Sequence, residues 1–149
     1  MPDQNELTVV SLHIAPEHRT ALVAVGHIEV EAGRGIVGDR YYGTKHRHIS
    51  VQSADALAVA SRELGRTLDP ASTRRTVTVS GGEIPNTPGS RMQLGPVEVE
   101  VVRIAAPCRL MDQISGHGTR RALHARGGSV CRVLSTGTLR LGDPVRLDA

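Results

Sequence analysis

The sequence predicts a mainly β fold, a closed or partly closed β-barrel with a few short helices. Segments of alternating apolar and polar residues recur along the chain and are separated by Gly and Pro. The chain has no Phe and no Trp, so its core is aliphatic and largely β-branched, a composition that favours sheets. The strands do not alternate regularly with long helices, which argues against a parallel α/β sheet.

The first strands are predicted to surround a glycine-rich loop. Residues 7–14 (LTVVSLHI) form a strand. Residues 20–31 form one or two further strands, and Gly26 marks a bend or bulge within them. Residues 33–43 carry four glycines and are followed by a short strand at residues 47–52.

The clearest helix is predicted at residues 53–64. Ser53 can cap its first turn, Asp55 lies within that turn, and Gly65 can end the helix. The spacing predicts one apolar face, formed by Leu57, Ala60 and Leu64.

The second half of the chain is predicted to contain two hairpins. After a strand at residues 75–80, residues 92–94 and 97–104 alternate around a Gly-Pro turn. The same pattern recurs at residues 139–141 and 144–147 around Gly-Asp, so we expect a second hairpin there.

The region between the hairpins is predicted to be helical in two short pieces. These pieces cover residues 109–126 and are broken at residues 115–118, and a strand follows at residues 129–134. No linker or shift in composition divides the chain, so we expect a single domain spanning residues 1–149.

The basic residues of the chain are suited to oxyanion binding, although a role as solvated surface residues accounts for most of them. The net charge is +3, and all but one of the 18 basic residues are Arg, the exception being Lys45. Arg is better suited than Lys to bidentate binding of carboxylate or phosphate. Nucleic acid is disfavoured as a partner, because Tyr41 and Tyr42 are the only aromatic residues available for stacking on bases.

The sequence predicts a cytoplasmic protein without membrane association. No apolar run approaches the length of a transmembrane helix, and the polar, acidic N-terminus does not resemble a signal peptide. The two cysteines form no CxxC motif, so we expect free thiols. The oligomeric state stays open.

Cys108 is the candidate reactive residue. It follows a predicted strand and Pro107, and Arg109 follows it. A positive neighbour increases the thiolate fraction of a cysteine, so Cys108 is either a reactive thiol presented to a pocket or a small buried hydrophobe. Cys131 lies in the middle of a strand and is predicted to be a packing residue.

The glycines at positions 33, 35 and 38 fit G-x-G-x-x-G, but the chain that follows has no helical periodicity. We therefore favour a tight loop with positive φ angles that directs Asp39 and Arg40 at a partner over a dinucleotide site. A plain surface turn with an incidental ion pair is the alternative.

Two further clusters of charged or ligating residues have both a functional and a structural interpretation. Arg74 and Arg75 precede a strand, where they either capture an oxyanion or form a charged strand start. His46 and His48 could share one face of a strand as metal ligands, but no other ligand follows at a suitable spacing. We therefore predict a structural or surface role for this His pair.

The ordered set of motifs resembles the MOSC domain, named for the C-terminal domain of molybdenum cofactor sulfurases. The resemblance extends from about Val9 to Leu147. Its motifs are residues 32–41 (AGRGIVGDRY), Arg74-Arg75, Leu94-Gly95, Ala106-Pro107-Cys108, Arg126-Gly127-Gly128, Arg132-Val133-Leu134 and residues 137–145 (GTLRLGDPV).

The resemblance implies a β-barrel and a site centred on Cys108. Family members are associated with molybdenum cofactor, so Cys108 would carry sulfur or ligate molybdenum. The resemblance further implies cofactor-binding residues, in which arginines meet the pterin phosphate or another anion and neighbouring residues shape the pocket. These residues are Arg75, Arg40, Arg74, Arg132 and Asp39. Two positions depart from the family pattern: Thr76 stands where Asn is frequent, and Val130 where an aromatic is common.

The resemblance also implies two kinds of enzyme role and their partners. The chain would be a sulfur transferase or a component of a molybdenum-dependent oxidoreductase that reduces N-hydroxylated compounds. Its partner would be a cysteine desulfurase or a molybdoenzyme, and pyridoxal phosphate would reside on the partner desulfurase and not on this chain. The alternative is a non-catalytic basic β-barrel that binds an anionic ligand or a partner protein.

Overall fold

Seven strands close into a barrel in the computed structural model, which describes residues 7–17, 21–105, 116–123 and 128–147. The helices are α1 (Ala54–Leu64), α2 (Thr119–Ala122) and a 3₁₀ helix at Pro70–Thr73. The strands are β1 (Leu7–Ile14), β2 (Val23–Ala24), β3 (His27–Glu31), β4 (Gly35–Ile36), β5 (Ile49–Ser53), β6 (Val77–Val79), β7 (Arg91–Leu94), β8 (Val97–Ile104), β9 (Ser129–Val133), β10 (Gly137–Arg140) and β11 (Pro144–Arg146).

The barrel closes because β11 pairs with both β1 and β7. From β7 the order continues through β8, β9, β5 and β6, and β6 returns to β1. All these pairs are antiparallel except β5 and β6, which are parallel and joined through α1. A three-stranded sheet of β10, β3 and β4 accompanies the barrel, and β2 pairs with the end of β1. The predicted fold class is confirmed.

The barrel interior is filled by aliphatic side chains, as the composition predicts. In β8, Val97, Val99 and Val101 are buried, while Glu98 and Glu100 on the opposite face are partly exposed. This alternation is the period of a strand with one face in the core. The core cluster consists of Val9, Leu12, Ile28, Val30, Ile36, Ile49, Val51, Val77, Val79, Met92, Leu94, Val97, Val99, Val101, Cys131, Val133, Leu139 and Val145.

Helix α1 begins and ends as its sequence predicts. Ser53 Oγ accepts a hydrogen bond from the Ala56 N–H at 3.4 Å, and Gly65 has a left-handed φ of 72°. Its apolar face packs against α2 in a second, smaller cluster. The cluster contains Leu57, Ala60, Leu68, Ala122 and Leu123, with Leu64 at its border.

The predicted C-terminal hairpin is wrong. β10 pairs with β3, whereas β11 pairs with β1 and β7, so the two strands lie in different sheets. The turn between them is held by β1 instead: Gly142 donates its N–H to the Val9 carbonyl, and the Asp143 carbonyl accepts the Val9 N–H. These bonds direct the chain out of one sheet and into the barrel wall.

Several other predicted elements are present in the structure. The strands at residues 7–14 and 129–134 and the hairpin of β7 and β8 are confirmed. Of the predicted helical region at residues 109–126, residues 116–123 are described; they contain α2, with turns around it, and the rest of the region lies outside the described residues. No helix in the described part of the chain is long and apolar enough to cross a membrane.

Gly128 is fixed by a close contact with the backbone of β5. Its φ is +86°, and a Cβ at this position would overlap the carbonyl oxygen of Val51. Glycine alone among the residues accepts such a φ without strain. The Gly128 carbonyl accepts the Ala105 N–H at 2.9 Å, so this position also anchors the chain just beyond β8.

We predict that Gly128→Ala lowers the melting temperature by about 6–12 °C, corresponding to about 3 kcal/mol of strain and steric overlap in a domain of this size. Gly26→Ala is the matched control, because a Cβ there meets no atom within 4 Å. Thermal unfolding followed by circular dichroism measures both. Equal melting temperatures of the two variants would contradict this account of Gly128.

His13 is a buried histidine near the end of β1. It is 6% exposed, and its Nδ1 has no hydrogen-bond partner among the described residues. Burial lowers the pKa of His13 below its usual 6.5, and the nearby Asp69 carboxylate offsets part of that shift. The neutral imidazole is therefore favoured in the folded protein, because burial penalises the charged form.

We predict a loss of stability as the pH falls below 6.5, the ordinary pKa of His13. Between that value and the lower pKa of the folded state, the unfolded chain binds more protons at His13, so the free energy of unfolding rises with pH. Urea unfolding at several pH values should show a shallower slope in this window for His13→Gln than for the wild type. His46→Gln, at an exposed position, serves as the control; a slope unchanged by His13→Gln would refute the assignment.

Candidate functional site

The glycine-rich loop between β3 and β5 adopts left-handed backbone angles. The φ values of Gly33, Gly35 and Gly38 are 74°, 111° and 87°. The loop continues through the short strand β4 into further turns, so no helix follows the motif at which a pyrophosphate could bind. The expectation of a tight loop is confirmed. Gly35 also lies close to the barrel, since a Cβ there would be 3.3 Å from the Cα of His48.

Asp39 fastens this loop to the end of β1. Its Oδ1 accepts the Ala15 N–H at 3.0 Å, and its Oδ2 accepts the Tyr41 N–H at 3.3 Å. The Arg40 N–H donates to the Ala15 carbonyl at 2.7 Å. The expectation that the loop directs Asp39 at a partner is wrong, because its buried carboxylate accepts hydrogen bonds from backbone N–H groups of this chain. Asp39 therefore positions Arg40.

Arg74 and Arg75 lie inside the structure, at the start of β6. They are 7% and 5% exposed, and Arg74 has a left-handed φ of 63° at the end of the 3₁₀ helix. The Arg75 Nη2 donates a hydrogen bond to the Ala105 carbonyl at 3.0 Å. A buried guanidinium is costly unless its donors are satisfied, so Arg75 stabilises the chain where it leaves β8.

A cleft brings the loop and the start of β6 together. Four arginines line it. No Asp or Glu is among its described lining residues. The arginines are Arg40, Arg47, Arg74 and Arg75. Guanidinium groups offer the charge-assisted donors that suit an oxyanion. We call this feature the arginine cleft.

Ser50 and Thr76 form the polar floor of the arginine cleft. The Thr76 hydroxyl donates to the Ser50 carbonyl and accepts the Ser50 N–H, both at 2.9 Å. The Ser50 Oγ accepts the Thr76 N–H at 3.1 Å. These bonds extend the pairing of β5 and β6 beyond its last backbone contacts. Thr76, which departs from the family pattern, therefore holds together the two strands that carry the cleft.

His48 is buried in the same wall and is held as the neutral tautomer. Its Nδ1 accepts the Val133 N–H at 2.9 Å, so the proton lies on Nε2, which donates to the Thr44 carbonyl at 2.7 Å. Both ring nitrogens are thus used within the protein. The described residues contain no group of three or more His, Cys, Asp or Glu side chains that could hold a metal ion.

Cys131 and Arg132 are neighbours in β9 with opposite environments. Cys131 is fully buried in the barrel core, and burial raises the pKa of its thiol to about 12. Arg132 faces outward and donates to Glu100 Oε1 at 2.6 Å across the β8–β9 pair. Arg132 is not among the residues that line the arginine cleft.

Cys108 lies outside the described residues, three positions beyond Ala105. Ala105 itself is held from two sides, since its carbonyl accepts from Arg75 and its N–H donates to Gly128. The start of the segment that carries Cys108 is therefore anchored beside the arginine cleft.

A larger cavity of about 570 Å³ lies between α1 and the loop at residues 82–87, and Gly128 lines part of it. The described polar side chains at this cavity include Ser53, Asp55 and Asn86. Its volume falls in the range of small-molecule sites. Because Gly128 bonds to Ala105, this cavity too borders the chain that leads to Cys108.

The sequence analysis missed Arg47, Tyr41 and Ser50 as parts of the cleft. Arg47 lies between His46 and His48, and the sequence pattern there indicates a possible His pair, not an anion site. Ser50 is a strand residue with no motif to mark it. One usable signal was Tyr41, because the chain has only two aromatic residues and this one follows Arg40 directly. An isolated aromatic within an arginine-rich loop favours cation–π stacking.

We predict that an alkylating reagent modifies Cys131 only after unfolding, because its thiol is buried and protonated at neutral pH. Peptide mass spectrometry before and after addition of denaturant measures the extent of labelling. Labelling of Cys131 in the native protein at its unfolded rate would contradict the described burial.

The chain matches the MOSC domain family over residues 38–146. It is similar to the YuaD protein from Bacillus subtilis, with a TM-score of 0.84 and 19% identity over 97% of both chains. It is also similar to YiiM from Geobacillus stearothermophilus (TM-score 0.73, 16% identity, 95% of this chain and 74% of that chain) and to YiiM from Escherichia coli (TM-score 0.72, 15% identity, 97% and 70%). None of the curated proteins matches the sequence. The structural likenesses show a shared fold, and the family match shows that the chain belongs to the MOSC domain family.

Proposed function

We propose that this MOSC protein binds the anionic part of molybdenum cofactor in the arginine cleft and uses Cys108 as a sulfur carrier or molybdenum ligand. The observation that carries the proposal is the bond from the buried Arg75 to Ala105, next to the segment that contains Cys108. It joins a positively charged cleft to the start of the segment that carries the candidate thiol.

The arginine cleft has the donors for the anionic end of such a cofactor, but its volume is only about 10 Å³, roughly one water molecule, so a phosphate would bind at its mouth and not inside it. The Nε of Arg40 is buried and has no hydrogen-bond partner among the described residues. A buried donor without a partner is costly, and a phosphate oxygen would satisfy it. Arg40 and Arg75 would hold the phosphate, with Arg74 contributing charge. When bound, the cofactor would supply a molybdenum centre, for which a thiolate is a soft ligand.

The cleft arginines would also act on Cys108 through charge. Positive groups near a thiol favour the thiolate, the form that attacks sulfur or binds metal. Cys131 cannot take over this role, because its thiol is buried and its pKa is raised to about 12. The sulfur chemistry proposed for this chain therefore rests on Cys108.

A sulfur carrier would receive its sulfur from a cysteine desulfurase, on which the pyridoxal phosphate resides. The Cys108 thiolate would attack the terminal sulfur of the donor persulfide, forming a new S–S bond as the donor's S–S bond breaks. The donor cysteine leaves as a thiolate, so the exchange requires no external oxidant or reductant. A molybdoenzyme would be the acceptor, and a cytoplasmic location fits thiols that must stay reduced.

A non-catalytic anion-binding module is the second candidate function. The four cleft arginines come from the glycine-rich loop, the chain before β5 and the start of β6, so they need no contribution from Cys108. A small basic barrel with this cleft could bind an anionic ligand or partner without covalent chemistry.

We predict that anaerobic purification yields protein with molybdenum or with a sulfur adduct of about 32 daltons on Cys108. Metal analysis and peptide mass spectrometry after incubation with a desulfurase and cysteine measure these two outcomes. Cys108→Ser should abolish both, whereas Cys131→Ser should retain them. Wild-type protein that carries neither group under these conditions would contradict the proposal.

Arg75→Lys and Arg75→Gln separate the two candidate functions. In the proposed function, Arg75→Gln lowers persulfide loading of Cys108 by about 10-fold, the expected cost of losing one charge-assisted hydrogen bond. Arg75→Lys keeps the positive charge, so its persulfide loading should fall by less than that of Arg75→Gln. A salt-sensitive interaction that survives Cys108→Ala but is lost in Arg75→Gln would instead favour the anion-binding module.

A further inference from the structure

The cavity of about 570 Å³ lies at the opposite end of β5 and β6 from the arginine cleft. These strands are parallel, and the last residue of β5, Ser53, pairs with the last residue of β6, Val79. Ser53 lines the cavity, whereas Ile49 and Ser50 at the start of β5 line the cleft. The described residues that line the two sites do not overlap. Since the carboxyl ends of parallel strands commonly hold ligands in α/β folds, this cavity is a candidate second site.

The charge of this cavity is opposite to that of the arginine cleft. Asp55 and Glu83 are the charged side chains among its described lining residues, which include no Lys, Arg or His. Within the described part of the chain, neither carboxylate forms an ion pair. A concave site holds less water around a charge than a flat surface does, so the attraction between opposite charges is stronger there. The cavity therefore favours a ligand with a positively charged group.

The hydroxyl of Ser53 offers a hydrogen bond to the same ligand. Ser53 is only 3% exposed, and its Oγ accepts the Ala56 N–H at 3.4 Å. No described group accepts the hydrogen of this hydroxyl. A hydroxyl can donate one hydrogen bond while it accepts another, and a buried donor without an acceptor is costly. A ligand that carries a hydrogen-bond acceptor would satisfy this donor.

Apolar side chains and a fastened loop form the remaining walls of the cavity. Ala56 and Val59 contribute from α1, and Ile84 and Pro85 contribute from the loop. The buried Ser129 hydroxyl donates to the Pro85 carbonyl, which ties this loop to β9. A wall that is already in place reduces the entropy lost on binding. The apolar walls therefore suit the body of an amphipathic molecule.

We infer that this cavity is a second ligand site, which binds a small amphipathic amine. The ammonium group would lie beside Asp55 and Glu83, a neighbouring acceptor would take the Ser53 hydrogen, and the apolar body would contact the walls. An amino alcohol with an aromatic or branched apolar group has this chemistry. The inference goes beyond the proposed function, since it requires neither Cys108, nor molybdenum, nor the arginine cleft.

Gly81 offers a way to move the Asp55 carboxylate without removing its charge. A Cβ at Gly81 would lie 2.9 Å from Asp55 Oδ2, so the carboxylate must shift in Gly81→Ala. Gly81 is not among the glycines with a positive φ, so its backbone accepts alanine. Gly26→Ala is the matched control, because a Cβ there meets no atom within 4 Å. Glu63→Gln removes one negative charge from an exposed position of α1 outside the cavity, and it controls for Asp55→Asn.

The test is an NMR chemical-shift titration of the isotope-labelled full chain at neutral pH, where a primary amine is protonated. The test compounds are phenylethanolamine, phenylethanediol, in which a hydroxyl replaces the ammonium group, and mandelate, in which a carboxylate stands at that end. Phenethylamine lacks the hydroxyl. Phenylethanolamine should shift the amide signals of the cavity and bind at least about 3-fold more tightly than the diol, and mandelate should bind least. Loss of the hydroxyl in phenethylamine should weaken binding by about 2- to 10-fold.

The variants assign this binding to the two carboxylates. Asp55→Asn and Glu83→Gln should each weaken phenylethanolamine binding by about 2- to 5-fold, the effect of losing one exposed ion pair. Gly81→Ala should weaken it in the same direction, because the Asp55 carboxylate is displaced. Glu63→Gln and Gly26→Ala should bind like the wild type.

The inference is overturned if the wild type does not bind phenylethanolamine, or if it binds the amine and the diol equally. Equal affinities in Asp55→Asn and Glu63→Gln, or shifted signals outside the cavity alone, would also overturn it. Circular dichroism shows whether each variant is folded, and the comparison of amine with diol needs no variant. The sulfur adduct or molybdenum on Cys108 is measured separately, so the inference and the proposed function can fail independently.

Discussion

Closure of the barrel by the short strand β11 is the constraint on which the other elements depend. Val145 lies opposite Leu7 on β1 and Leu94 on β7, so three residues of β11 join the first strand of the barrel to a hairpin late in the chain. A closed barrel leaves no exposed edge in its wall and fixes which face of each strand points inward. The closed barrel fixes β5 and β6, and these strands position residues that line the arginine cleft.

Much of the fold follows from local patterns in the sequence. The alternation in β8 and the caps of α1 each depend on a few adjacent residues, so the sequence alone predicts them. The pairing of β10 with β3 instead of β11 could not be predicted in this way. It depends on two hydrogen bonds with Val9, one donated by the Gly142 N–H and one accepted by the Asp143 carbonyl, and Val9 lies more than a hundred residues away in the chain.

In the candidate site too, local features could be predicted from the sequence, whereas contacts between distant residues could not. The glycine motif, Arg40 and the arginine pair were recognisable, because a family pattern or a local charge cluster marks them. Their assembly with Arg47 and Tyr41 depends on the Thr44 hydroxyl and on His48, whose roles become visible only in three dimensions. The sequence indicated that Asp39 contacts a partner, because a sequence cannot show that its carboxylate accepts hydrogen bonds from backbone N–H groups of the same chain.

The location of Tyr41 has a practical consequence, because the chain contains no Trp and only two Tyr. The near-ultraviolet absorption and emission of the native protein therefore arise from Tyr41 and Tyr42 alone. Since Tyr41 contacts two cleft arginines, its electronic environment changes when those charges are neutralised. If an anion binds in the cleft, Tyr41 would therefore report its binding optically, and a Tyr42→Phe background would isolate that signal without an added label.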